Sequence, residues 1–165
     1  MKKILIILLF FISISETSAS IKSKIIQNLK NTDNLIFNFE QNVNSKTQNG
    51  NCVISFPQKI FCKYNLKNNK ILVSNGKSIV IKTTTSYYLY PLKRTPLNLI
   101  LNKKFLLKKI ENLNERIIDN KFINFKFTEN DNEINLFFDK KSYNLIGWQT
   151  KDIYQNLSIT YLSSI

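Results

Sequence analysis

The sequence predicts a mainly β chain with short helices, an α+β arrangement in which one strongly curved antiparallel sheet carries helices against one face. Three observations predict it. Apolar residues recur with a period of two over most of the chain, as where Leu35, Phe37 and Phe39 share one strand face and Asn38 and Glu40 the other. Asn75-Gly76 sits between the apolar runs 71–73 and 79–81. That is the strongest short-range hairpin signal, because both turn residues tolerate positive φ. Helical spacing is confined to short stretches, and neither a repeat nor a Pro/Gly/Ser-rich linker divides the chain.

Taken in order, residues 1–19 read as a secretory leader: Lys2-Lys3, an apolar run from Ile4 to Ile12, and small residues Thr17-Ser18-Ala19 for cleavage. The run is too short for a bilayer-spanning helix. A cut after Ala19 leaves one domain over 20–165, and its first residue, Ser20, offers no cysteine for a lipid anchor. Ile21, Ile25, Ile26 and Leu29 then repeat at helical spacing. Strands follow from Leu35 and near 50–56, 59–65, 69–74, 77–83 and 87–90. Thr95 as N-cap and Pro96 at the first helical position start a short helix that places Leu97, Ile100 and Leu101 on one side. Residues 103–115 fit either a continued helix or a loop. Strands resume near 116–119, 121–128, 133–138, 143–150 and 155–162.

The runs Ile71-Leu72-Val73 and Ile79-Val80-Ile81 are apolar on both faces. Such a strand is covered on both sides, or one of its coverings is transient.

Removing residues 1–19 leaves 22 basic against 10 acidic residues, a net charge of +12. That charge attracts polyanions or anionic membrane surfaces. The lysines are dispersed rather than blocked, which fits a largely solvated surface. Transient contact with an anionic membrane face, screened beyond about 10 Å at ordinary salt, is the partner class they suggest.

Cys52 and Cys62 flank a segment with Pro57 at its midpoint. Pairing around that turn opposes Cys52 to Cys62, Val53 to Phe61 and Ile54 to Ile60. Opposed residues in an antiparallel pair lie about 4.5–5.5 Å apart at Cα, within disulfide range. In an oxidising compartment the two are expected to pair. Closing a loop of about eleven residues is worth on the order of 2.7 kcal/mol by chain entropy. A metal site is the poorer reading, since the chain has no histidine to join two thiolates.

Little else suggests chemistry. The absence of histidine removes the commonest general base and the His-containing triads. The carboxylates are scattered, and Asp131 and Glu133 fit a solvated turn better than a calcium site. Three glycines, Gly50, Gly76 and Gly147, make no phosphate-cradling loop. A non-enzyme without cofactor or metal is expected. Tyr87, Tyr88 and Tyr90 near Lys82, Lys93 and Arg94 have the makings of a base-stacking platform. Strand packing explains the tyrosines better, and no nucleic acid partner is expected.

An ordered set of motifs is similar to the periplasmic outer-membrane lipoprotein carriers, the LolA-like family. "LIFNFEQNV" (35–43) resembles the family's first strand after an N-terminal helix, and "ISFPQKIFCKY" (54–64) its second strand ending at a Pro. "ILVSNGKSIVI" (71–81) resembles its most recognisable hairpin, and "TPLNLIL" (95–101) its Thr-Pro helix. "INLFFDKKSYNLIGW" (134–148) resembles its late hairpin. Where the family often has an Arg before that Pro, this chain has Phe56.

The resemblance implies an unclosed β-barrel of roughly eleven strands with short helices as a lid. It also implies a monomeric periplasmic carrier of acylated lipoproteins, loaded by an inner-membrane ABC transporter and relieved by an outer-membrane acceptor. Under it, Leu35, Phe37 and Phe39 from the sheet, Leu97, Ile100 and Leu101 from the lid, and Ile71 and Val73 beside them line an acyl-chain cavity. A non-shuttling lipid- or lipoprotein-binding domain of the same fold is the alternative. A module whose apolar strands are plain core is the further one.

Overall fold

The computed structural model describes residues 19–151 and 155–163. The expected leader lies, but for Ala19, outside the described residues. Helix α1 (Ile21–Asn31) opens the fold. Ser20 caps it, its hydroxyl accepting from the Ser23 N–H at 3.1 Å, and Ile25 and Leu29 are buried. Lys103 closes the other end. Its ammonium donates to the carbonyls of Lys30 (3.1 Å) and Thr32 (2.9 Å), where the helix dipole is negative, and pairs with Asp33 at 3.0 Å.

Six strands follow as a meander: β1 (Asn34–Val43), β2 (Lys46–Ser55), β3 (Lys59–Tyr64), β4 (Ile71–Asn75), β5 (Ser78–Lys82) and β6 (Tyr87–Pro91). A 3-10 turn (Leu92–Arg94), α2 (Leu97–Ile100) and α3 (Lys103–Glu111) lead to β7 (Arg116–Ile118), β8 (Phe122–Glu129), β9 (Asn132–Asp139), β10 (Leu145–Lys151) and β11 (Leu157–Ser163). All eleven strands form one antiparallel sheet in the order β6-β5-β4-β3-β2-β1-β11-β10-β9-β8-β7. Strand β1 joins the halves by pairing with both β2 and β11. Strands β6 and β7 end the order without pairing to each other, so the barrel is unclosed.

The helices sit in the concavity, with α1 and α3 packed on each other. Ile25, Leu29, Ile100, Leu101, Leu106 and Ile110 meet Phe37, Phe125 and Phe138 of the sheet, and all are buried. Each such side chain contributes roughly 1.5–3 kcal/mol by leaving water. That interior fills one end of the half-barrel and leaves the other end free.

Three expectations change in detail. Residues 103–111, ambiguous between helix and loop, are helical, with the Asn102 side chain accepting from the Phe105 N–H at 3.1 Å. Thr95 does not cap α2. Its hydroxyl donates backward to the Leu92 carbonyl at 2.8 Å, because a 3-10 turn precedes it, and Pro96 takes the cap position. The hairpin at Asn75-Gly76 forms, but only Gly76 has positive φ (+92°). Asn75 instead accepts from the N–H groups of Lys77 and Ser78 at 2.9 and 3.0 Å, the side chain standing in for a backbone turn.

The Cys52–Cys62 disulfide is present, between residues that oppose each other in the β2–β3 register with Cα atoms 4.1 Å apart.

Candidate functional site

The inward side chains of β1 change their surroundings along the strand. Leu35 packs under α1 beside Leu29, and Phe37 is buried edge-on against Trp148, with ring centres 6.3 Å apart. Phe39 reaches a gap of about 60 Å³, and Gln41 and Val43 reach a larger hollow of about 230 Å³. The two spaces share Gln41, Tyr64, Leu72, Leu97 and Trp148 as lining. Each strand contributes through its period of two: Gln48 from β2, Tyr64 from β3, Leu72 from β4, Ile79 and Ile81 from β5. Thr95, Pro96 and Leu97 roof the hollow, and β10 and β11 close its far wall with Trp148, Thr150 and Ser158.

Gly50 shapes the floor. It stands between Phe39 and Tyr64 in one cross-strand row, and a Cβ there would lie 2.1 Å from the Lys63 carbonyl oxygen and 2.9 Å from the Phe39 ring. With no side chain between them, the Phe39 and Tyr64 rings meet edge-to-face at 4.9 Å.

The lining is apolar at depth and polar toward the β1–β2 turn. Tyr64 donates to Gln41 Oε1 at 3.2 Å, and Gln41 Nε2 donates to Ser158 Oγ at 2.9 Å and Thr160 Oγ1 at 3.4 Å. The Lys70 ammonium donates to Gln48 Oε1 at 2.8 Å and lies 4.0 Å from the Tyr64 ring centre. Burial pushes the Tyr64 phenol up to about 12, so it remains a neutral donor. Thr150 Oγ1 is buried without a hydrogen-bond partner among the described residues. Such a surface can take an apolar chain inside and hydrogen-bond a polar group at its mouth.

The eight residues expected to line one cavity separate into three groups. Leu97 lines the hollow and the smaller gap, and Phe39 lines the gap alone. Leu35, Phe37, Ile100 and Leu101 are buried in the packed end, where α1, α2 and α3 fill the concavity. Ile71 and Val73 are the correction: they lie on the opposite face of the sheet. Cys62 points inward to its disulfide and opposes Leu72, so alternation turns Leu72 inward and sends Ile71 and Val73 out beside Lys63 and Phe61. Phe56, in place of an Arg, is half-buried against the core, with the Lys103 ammonium 5.7 Å from its ring centre.

Sequence reasoning missed Gln41, Val43, Leu72, Ile79, Trp148, Thr150 and Ser158. The alternation of 35, 37 and 39, carried on to 41 and 43, was the available signal for the first two. The contributions of β10 and β11 follow only from their pairing with β1, far away in sequence.

An unclosed half-barrel with a roofed, mainly apolar hollow is the architecture of a binding protein. The family model of the outer membrane lipoprotein carrier protein LolA matches residues 30–165, and the chain belongs to that family. No curated protein sequence matches the chain. Among solved structures it is similar to a LolA superfamily protein from Nitrosomonas europaea, at 7% identity and a TM-score of 0.43, covering 87% of this chain and 90% of that one. It is similar to the lipoprotein LppX of Mycobacterium tuberculosis at 13% identity and a TM-score of 0.44, covering 87% and 93%. A DUF1329 family protein from Desulfovibrio piger is similar at 6% identity and a TM-score of 0.40, covering 89% and 92%. Among the described residues, no helix is long and apolar enough to cross a membrane.

Proposed function

We propose that this protein is a periplasmic carrier that holds an acyl chain of a lipoprotein in the hollow beneath Thr95–Leu97 and moves it from the inner to the outer membrane. The observation that supports this best is the hollow itself, walled by Leu72, Ile79, Leu97 and Trp148 where an ordinary core would be filled. Covering an acyl chain gains roughly 0.8 kcal/mol per CH₂. At about 230 Å³ the hollow is below the ~300 Å³ at which ligand pockets usually begin. The short α2 roof therefore moves outward as more of the chain enters and settles back on release. Partial closure when empty lowers the cost of letting cargo go. The leader at residues 1–19 takes the chain across the inner membrane, an ABC transporter there loads it, and an outer-membrane acceptor receives the cargo. The protein acts as a binding partner throughout, not as an enzyme.

Two measurements test the reading. Native mass spectrometry of gently purified protein is expected to show co-purified acyl lipid or lipoprotein. A clean apo mass with no uptake of fatty acid removes the proposal. Release of lipoproteins from inner-membrane vesicles then separates a shuttle, which extracts them, from a domain of the same fold that only binds.

A further inference from the structure

The outer face of β1–β6 carries a ribbon that the hollow does not explain. The register places Ile36, Val53, Phe61, Val73, Val80 and Leu89 directly beside one another, one from each of six consecutive strands. Ile36 is 69% exposed, Leu89 59%, Phe61 48% and Val53 40%. An apolar line across half the sheet is thus open to solvent, on the side opposite the hollow.

Lysines flank it. Two residues along each strand, the neighbouring row runs Asn38, Asn51, Lys63, Ile71, Lys82 and Tyr87, and on the other flank Lys59 stands between Ser55 and Asn75. Lys59, Lys63, Lys82 and Tyr87 are exposed. The charge of this half of the molecule is single-signed. Residues 46–94, which carry β2–β6 and the 3-10 turn, hold eight lysines and one arginine with no aspartate or glutamate; the flanking carboxylates in sequence are Glu40 on β1 and Glu111 at the end of α3. Dispersed in sequence, these cations gather in space because the sheet order puts β2–β6 together at one end.

We propose that this ribbon is a docking face for the surface of an anionic phospholipid bilayer. The apolar side chains enter the headgroup boundary, the lysine stems lie along them, and the ammonium groups meet lipid phosphates. Tyr87, at the free edge of the sheet, suits the same boundary. A second copy of the chain is disfavoured as occupant, because two such faces bring like charges together. The face is separate from the hollow and stands whether or not the hollow carries acyl chains.

The test is sedimentation of the purified protein with vesicles of equimolar phosphatidylethanolamine and phosphatidylglycerol, against vesicles of phosphatidylcholine alone. Binding is expected only to the anionic vesicles and is expected to weaken as salt shortens the Debye length to about 8 Å. Lys63→Gln with Lys82→Gln leaves the ribbon intact and is expected to weaken binding about twenty-fivefold at low salt, at about fivefold per lysine. Phe61→Ser with Leu89→Ser is expected to weaken it by about tenfold or more. Ile117→Ser, on exposed β7 at the other end of the sheet, serves as the positional control and should change nothing. Equal binding to phosphatidylcholine, indifference to the lysine pair, or an equal loss in the Ile117 variant would overturn the proposal. So would capture of polyglutamate with no vesicle binding, which would assign the face to an acidic protein.

Discussion

Tyr64 donates its phenolic hydrogen to the Gln41 side-chain carbonyl at 3.2 Å, reaching from β3 to β1 across β2. It can do so because the intervening residue of its row, Gly50, has no side chain. The same crossing buries the phenol and pushes it from 10.0 up to about 12. A raised pKa means that the native state keeps a proton which the unfolded chain releases. The associated stability is present in full below pH 10 and is lost as pH rises toward 12. Between those values, unfolding free energy is expected to fall by roughly 1 kcal/mol per pH unit from this group alone. Urea unfolding at closely spaced alkaline pH values measures the slope, and Tyr64→Phe should flatten it. An unchanged slope in that variant would place the ionisation elsewhere.

Gly50→Ala is the companion substitution. The new methyl group meets a backbone oxygen, Lys63 O at 2.1 Å, so the neighbour cannot turn aside as a side-chain end would. Destabilisation of about 2–4 kcal/mol is expected. Phe39→Leu in the same chain relieves the ring contact but not the carbonyl, so the double variant should recover little. Denaturant midpoints for the two single variants and the double variant decide it.

The strands were legible where one face is polar. The alternation at Leu35, Phe37 and Phe39 fixed the inward side of β1, and the Cys52–Cys62 spacing fixed the β2–β3 register that the disulfide occupies. Legibility failed at Ile71-Leu72-Val73, where the run is apolar on both faces and period-two reasoning has no contrast to use. The reason for that double apolarity is now physical: Leu72 faces the hollow, while Val73 belongs to the exposed ribbon. Gln41, Thr150 and Ser158 escaped for the opposite reason. They are polar residues at inward positions, and only the assembled sheet shows that the cavity mouth accepts them.

Removing the Cys52–Cys62 bond should cost about 2–3 kcal/mol, because it closes a short loop within the unfolded chain. Both cysteines also line the smaller gap beneath Phe39. Cys52→Ala with Cys62→Ala is therefore expected to lower the urea midpoint while leaving the overall fold intact by circular dichroism. A wild-type midpoint that is unchanged on adding reductant, in protein verified as reduced, would show that the bond contributes nothing.

Leu97 and Ile100 lie three residues apart on α2 and are expected to respond differently to the same change. Leu97 is half-buried and lines both parts of the hollow, whereas Ile100 is buried in the packed end. Leu97→Asp should keep the fold and weaken uptake of a fluorescent fatty acid by about tenfold or more, as a carboxylate replaces apolar wall. Ile100→Asp should unfold the chain. Fatty-acid titration read beside thermal unfolding separates the two, and intact binding in the Leu97 variant would dissociate the hollow from acyl chains.

Thr150 gives the sharpest test of how the hollow is used. Its hydroxyl is buried without a partner among the described residues, and an unmade hydrogen bond of that kind costs about 1–3 kcal/mol. Thr150→Val keeps the shape and removes the penalty, so the empty protein should become more stable by about 1 kcal/mol. If the hydroxyl serves the polar end of a bound amphiphile, the same variant should bind a fatty acid more weakly while binding a plain alkane no less well. Stability and the two affinities, measured on one sample, discriminate the outcomes. A gain in stability with both affinities unchanged would make Thr150 an unsatisfied core residue and leave the ligand's polar end to Gln41, Tyr64 and Lys70.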